Sequence, residues 1–375
     1  MNIAILGAMW GDEGKGHITH HMSKNYDWVI RFNGGANAGH TIYRDGQKFV
    51  HNLLPSVDFR HSHIKAYLGS GMVIDLEKLR DEVDTLEKHY PGAGKRIYVD
   101  REAFIVETKH KEEDKATNAH IGSTNRGIGP AYKDKVGRVG HRIDDLYSNR
   151  LHDPYYDDFV YQKVSRGVNF VHQLEFQDEM KDNNLLFEGA QGVLLDINHG
   201  IYPYVSCSDA TVGGIYASGF GWAHLDKVYG VAKCYTTKVG EGPFPTEIFN
   251  EAADDLRKMG NEFGATTGRP RRVGWLDLPA LRYACAKGNI TNLVVTKFDI
   301  LTGLPSVPVC VAYAKKPVCP SDFRMAEPML AELPGWGDPK DKAQLLPFID
   351  TVQLVTGRPV SVISCGTGED DILSL

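Results

Sequence analysis

The sequence predicts an α/β fold: a largely parallel central sheet, a P-loop-like first strand–loop–helix, and peripheral helical and loop subdomains. Two observations predict it. Short apolar runs alternate with longer amphipathic stretches, and glycine-rich segments follow several of those runs. In such sheets ligands bind beyond the carboxyl ends of the strands. The chain has 375 residues and 42% hydrophobic composition, enough to bury a large core.

Seven runs read as buried strands: Asn2–Leu6, Trp28–Arg31, Ala66–Leu68, Leu185–Phe187, Lys227–Ala232, Asn292–Thr296 and Val360–Ser364. Asp75–His89 reads as a surface helix, with apolar residues at helical spacing among many charges. Two segments read as peripheral to the sheet. Residues 148–183 are polar, with clustered Tyr, Asp and His, and residues 314–345 are rich in Pro and charge. No internal repeat or low-complexity tract interrupts the chain.

Composition narrows the class of function. A net charge of -6, from 42 basic and 48 acidic residues, argues against non-specific nucleic-acid binding. Cysteines 207, 234, 285, 310, 319 and 365 form no CxxC pair and match no zinc spacing, as expected of a cytoplasmic, reducing environment. The apolar start is short, lacks a basic leader, and reads as a first strand. No apolar run is long enough to span a bilayer.

The loop Gly7–Gly16 (GAMWGDEGKG) follows the first strand. A glycine-rich turn there lets backbone N–H groups face phosphate oxygens, with Lys15 reaching the terminal phosphates. The usual P-loop spacing is not met, and Gly16 stands where a magnesium-binding Ser or Thr would follow the lysine. A carboxylate is then needed for the metal, and Asp12 is the candidate. The loop Asn33–Thr41 (NGGANAGHT) offers His40, able to donate to an oxygen that gains charge. Bland alternatives exist for both loops: a tight turn with a solvated Asp-Glu pair, and a Gly/Asn turn with an incidental His.

In the second half, Lys297-Phe298-Asp299 follows a buried strand. An Asp there can accept from N1–H and the 2-amino group of guanine, and adenine lacks that donor pair. The bland reading is a strand-end ion pair. Gly264–Arg272 (GATTGRPRR) packs three arginines among Gly and Thr, which suits a carboxylate or phosphate better than a solvated basic loop. Gly122–Pro130 (GSTNRGIGP) and Glu188–Gly192 (EGAQG) read as two further active-site turns.

Taken in order, WGDEGKG, NAGHT, STNRGIGPAY, FEGAQG, LLDINHGIYPYV, GPFPTE, GNEFGATTGRPRR and TKFD resemble the adenylosuccinate synthetases. They cover most of the chain, so residues 1–375 are read as one such domain with the two peripheral segments. The resemblance implies that GTP phosphorylates the 6-oxygen of IMP and that the aspartate amine then displaces phosphate.

It also implies roles. Asp12 is the base at purine N1 and a magnesium ligand, and Gly39 gives a backbone carbonyl to Mg2+. His40, Lys15 and Gln191 complete the catalytic set. Glu13, Gly14, Lys15 and Gly16 hold GTP phosphates, and Lys297, Asp299, Ser364 and Gly366 hold the remainder of GTP. Asn37, Thr124, Gln191, Leu195, Ser206 and Arg269 match IMP-contacting positions. Arg138 matches an arginine that reaches IMP from the partner subunit, which implies a homodimer. Thr267, Arg269 and Arg271 match the aspartate loop.

The chain departs from the family in being shorter than its typical bacterial members. Ser206 also stands where the family has Thr. The near alternative is the same chemistry on dGMP, as in a phage-type branch that has lost the first-loop aspartate. Here Asp12 is retained and would crowd a 2-amino group, which favours IMP. The alternative from another class is a GTP-binding switch, which leaves the arginine-rich loop and His40 without a role.

Overall fold

The computed structural model describes residues 1–44, 47–117, 123–148, 151, 167–264, 268–315 and 320–375. Its centre is a ten-stranded sheet. From one edge to the other the order is Ile372–Ser374, Val360–Ser364, Asn292–Thr296, Lys227–Lys233, Ile3–Gly7, Leu185–Gly192, Trp28–Arg31, Lys65–Leu68, Ile97–Asp100 and Asn169–Val171. Every pairing is parallel except that of Val360–Ser364 with Ile372–Ser374.

The strands read as apolar runs because both faces are covered. Ile3, Ile5, Val29, Leu186 and Val294 belong to one buried cluster. Their neighbours in sequence, Ala4, Leu6, Trp28, Ile30, Phe187, Leu293 and Val295, belong to another. Helix Leu76–His89 buries Leu76, Leu79, Val83 and Leu86, and Asp75 caps it by accepting from Lys78 N at 3.3 Å. Glu82 shares the buried face. Its carboxylate accepts from the backbone N–H groups of Asn52 and Leu54, both at 3.0 Å.

Three features depart from the sequence reading. The strand beginning at Leu185 runs on through Gly192, so the expected turn at Glu188–Gly192 is part of the sheet. Within residues 148–183, Asn169–Val171 is the sheet's edge strand; residues 149–150 and 152–166 lie outside the described residues. A second, four-stranded sheet was not anticipated, in the order Tyr235–Lys238, Arg272–Asp277, Ser306–Tyr313, Pro328–Pro334. The last of these strands comes from the segment 314–345. This sheet follows the strand ending at Lys233, and Arg271, just before its strand Arg272–Asp277, lies beside Asp12 of the first loop. Cys207, Cys234, Cys285, Cys310 and Cys365 are unbridged, and Cys319 lies outside the described residues. Among the described residues, no helix is long and apolar enough to cross a membrane.

Candidate active site

The loops that leave the carboxyl ends of the central strands line one cavity of about 820 Å³. This is where a parallel sheet of this kind offers a site. The first loop is folded around Glu13. Its buried Oε1 accepts from Met9 N at 3.1 Å and Gly11 N at 2.8 Å, while Oε2 takes Lys15 Nζ at 2.8 Å. Thr296 Oγ1, from the strand that leads to Lys297, donates to the Glu13 carbonyl at 2.8 Å. The helix Lys15–Ser23 starts directly from this loop through Gly14, whose φ of 94° is costly for any side chain. Its first two residues, Lys15 and Gly16, line the cavity, so the helix start is placed where it suits an anion.

His40 enters from the second glycine-rich loop. Its Nδ1 lies 2.8 Å from Oε1 of Glu188, whose Oε2 accepts from Ser56 N at 2.9 Å. Burial lowers the pKa of His40, and Glu188 opposes that shift. Burial would raise the Glu188 carboxyl, but His40 and Arg31 hold it at about 2. His40 is also pressed against the first loop, since a Cβ placed on Gly16 would lie 2.7 Å from His40 Cβ. Gly16 is thus required by a close approach, which brings the two loops together.

On the other side, Lys297 adopts a left-handed φ of 70° and Asp299 follows it in a short 3-10 turn. Burial raises the pKa of Asp299, and Lys297 opposes the shift. Asp299 Oδ1 is buried without a hydrogen-bond partner among the described residues, and so is Gln191 Oε1. Buried acceptors of this kind are usually paired, so both are read as waiting for a ligand.

The arginine-rich loop ends in a buried network. Arg271 Nε lies 2.8 Å from Asp12 Oδ2, and Arg271 Nη1 lies 2.6 Å from Glu262 Oε2. Glu262 Oε1 also accepts from Lys233 Nζ at 2.7 Å and Tyr235 OH at 2.5 Å. Burial alone would raise the Glu262 carboxyl, but Lys233 and Arg271 hold it at about 2. Burial lowers the pKa of Lys233.

The cavity wall includes Asp12, Glu13, Gly14, Lys15, Gly16, Asn37, Gly39 and His40 from the first two loops. It also includes Thr124, Gln191, Leu195, Ser206, Arg269, Arg271, Lys297, Asp299, Ser364 and Gly366. Ser206 N donates to Leu195 O at 2.7 Å, which joins two of those segments. Thr267 lies outside the described residues. Arg138 is exposed at the end of helix Ile128–Gly137, away from this chain's own cavity wall. Sequence reasoning missed Glu188 and Glu262 as individuals. Both sit inside the matched segments FEGAQG and GNEFGATTGRPRR, where a carboxylate among glycines was a usable signal.

A family model described as adenylosuccinate synthetase matches residues 4–183 and 162–373. The chain is 44% identical to an adenylosuccinate synthetase of Petrotoga mobilis, covering 99% of this chain and 97% of the relative. It is 40% identical to that of Thermotoga maritima, with both chains covered fully. Among solved structures, the fully ligated adenylosuccinate synthetase of Plasmodium falciparum superposes with a TM-score of 0.89 at 32% identity, covering 100% of this chain and 99% of that one. A cyanophage S-2L succinoaminodeoxyadenylate synthetase bound to dGMP and dATP gives a TM-score of 0.74 at 20% identity, covering 100% of this chain and 95% of that one, a likeness of fold alone. The chain belongs to the adenylosuccinate synthetase family.

Proposed function

We propose that this chain joins L-aspartate to the 6-position of IMP at the expense of GTP, giving adenylosuccinate through a 6-phosphoryl intermediate. The observation that carries the reading is the meeting of Asp12 and His40, from adjacent loops, in one cavity with Lys15 and the unpartnered Gln191 and Asp299 oxygens.

The lactam oxygen of IMP is a poor leaving group at neutral pH. In the first step Asp12 takes the N1 proton while the 6-oxygen attacks the γ-phosphorus of GTP. An O–P bond forms and the bond to the β-phosphate oxygen breaks. His40 and Lys15 stabilise charge on the oxygens involved, and Gln191 bonds to the purine. In the second step the neutral aspartate amine attacks carbon 6, the C–O bond breaks, and phosphate leaves, taking up the proton that the nitrogen loses. Arg269, Arg271 and Thr267 hold the aspartate carboxylates, and Arg269 also reaches IMP. Asn37, Thr124, Leu195 and Ser206 shape the IMP pocket. Glu13, Gly14 and Gly16 support the phosphates, while Lys297, Asp299, Ser364 and Gly366 select guanine. Arg138 is proposed to complete the IMP site of a second copy in a homodimer.

Mg2+ is the proposed cofactor. The Asp12 carboxylate and the Gly39 carbonyl are hard oxygen donors that suit this ion beside phosphates, and both residues line the cavity. When bound, the ion neutralises charge on the phosphate oxygens.

The test is phosphate release measured with aspartate and each of IMP, dIMP, GMP and dGMP at saturating GTP. Release is expected only when aspartate and a purine monophosphate are both present, with IMP the most efficient. Release from GTP alone points to a switch. Higher efficiency with dGMP overturns the choice of IMP.

A further inference from the structure

Glu188 stands in the interior of the central sheet. It pairs in register with Ile5 on one neighbouring strand and Arg31 on the other, and is 0% exposed. Arg31 is 0% exposed as well, and its Nε and Nη2 have no hydrogen-bond partner among the described residues. Two buried charges at neighbouring positions stabilise a sheet no better than well-packed apolar residues of similar volume. Packing therefore does not account for them. Of Arg31, Glu188 and His40, only His40 reaches the cavity.

Chemistry fixes the sense of the contact. An ionised carboxylate only accepts, so in the 2.8 Å contact of His40 Nδ1 with Glu188 Oε1, an ion-pair contact short of hydrogen-bond alignment, a proton held between them is the nitrogen's. The second carboxylate oxygen is anchored by Ser56 N, and Gly16 packs against His40 Cβ. The ring is thus gripped from the sheet on one side and from the phosphate loop on the other.

From this geometry we propose that Glu188 is a positioning residue, which holds the Nδ1 side of His40 and so fixes the ring's orientation, with Nε2 the nitrogen turned to the substrate and the donor when it carries a proton. The proposal rests on the role given to His40 under the proposed function. Arg31 supplies the neighbouring positive charge that keeps Glu188 ionised inside the sheet.

The test uses the full-length enzyme and Glu188→Gln, which is nearly isosteric. Its kcat is expected to fall about 10- to 100-fold, as is common when the partner of a functional histidine is removed, with the KM for IMP, GTP and aspartate unchanged within about two-fold. A merely structural role would instead disturb every KM together with thermal stability. Nitrogen-15 NMR of histidine-labelled protein gives a second readout, with the His40 signal assigned by its loss in His40→Asn. Wild type should show His40 protonated at Nδ1, and Glu188→Gln a mixture of tautomers. Unchanged kcat, or an unchanged His40 signature in Glu188→Gln, overturns the proposal. So does a wild-type His40 whose Nδ1 carries no proton, which decides the matter even if the variant does not fold. A wild-type enzyme without aspartate-dependent phosphate release would sink the proposed reaction while leaving the NMR result interpretable.

Discussion

Arg271 Nε lies 2.8 Å from Asp12 Oδ2, so the arginine-rich loop and the first glycine-rich loop are joined by an ion pair at the cavity. The two residues are given different partners in the reaction, aspartate for one and the purine N1 proton for the other. On the proposed reaction, ligand binding exchanges this pair for contacts with substrate. Arg271→Leu is expected to raise the apparent KM for aspartate at least ~10-fold, the equivalent of ~1.4 kcal/mol, with little change for GTP. Steady-state kinetics with each substrate varied in turn checks this. A folded variant that loses GTP affinity alone would move Arg271 to the nucleotide side.

The buried, unpartnered Oδ1 of Asp299 leads to a prediction about the donor. Asp299→Asn should weaken GTP by ~1.5–3 kcal/mol, the range for a lost charge-assisted bond, and improve xanthosine triphosphate, whose C2 carbonyl can accept from an amide. Competition between the two nucleotides for the same site measures it. An unchanged preference removes Asp299 from base recognition.

Acid should loosen the fold in a defined window. The folded-state carboxyl of Glu262 is depressed from 4.5 to about 2, so the unfolded chain binds its proton first as pH falls. Its contribution is fully present above 4.5 and is lost as pH falls through about 2. His17 is depressed from 6.5 to about 4 by burial, so its protonation also favours the unfolded chain as pH falls through that interval. Thermal midpoints measured from pH 7 to pH 3 should fall with decreasing pH. Glu262→Gln should be less stable at neutral pH and show a flatter decline below pH 4.5. A parallel decline in variant and wild type would contradict this account of Glu262.

Arg138 provides a test of assembly. It is exposed and stands apart from its own chain's cavity wall. Mixing Arg138→Ala subunits with Asp12→Ala subunits should restore activity, because a heterodimer then holds one site with both residues intact. Sedimentation or native mass measurement establishes that heterodimers form. Heterodimers without recovered activity would take Arg138 out of a shared site.

The readable parts of this sequence were those with a one-dimensional signature. Trp28–Arg31, Asn292–Thr296 and Val360–Ser364 were legible to the residue, because strands covered on both faces show as unbroken apolar runs. The first glycine-rich loop, His40 and the arginine-rich loop stood out because glycine and charge are concentrated in a few positions. The extension of the strand from Leu185 to Gly192 was hidden by its two glycines, which read locally as a turn. The second sheet was hidden because its strands are short or half-exposed and carry mixed residues, as in Arg272–Asp277 and Pro328–Pro334. The contacts of Glu188 and Glu262 were not legible for a different reason. Their partners, His40 for one and Lys233 with Arg271 for the other, are brought to them by the fold and not by sequence spacing.

The strand carrying Gln191 is out of step with its neighbour: Ile5 pairs with Glu188 but Gly7 with Gly192, and the surplus residues are absorbed where Gln191 takes a φ of 56°. A left-handed backbone costs an ordinary residue ~1–2 kcal/mol. That penalty makes position 191 a poor place to learn chemistry from random replacement. Val or Thr there suffers from its branched Cβ before any question of substrate arises. Asn tolerates the conformation while shortening the reach of the amide, and Gly relieves the backbone while deleting it. Directed evolution for thermal robustness alone would therefore drift toward Gly at this site and discard the amide on the way.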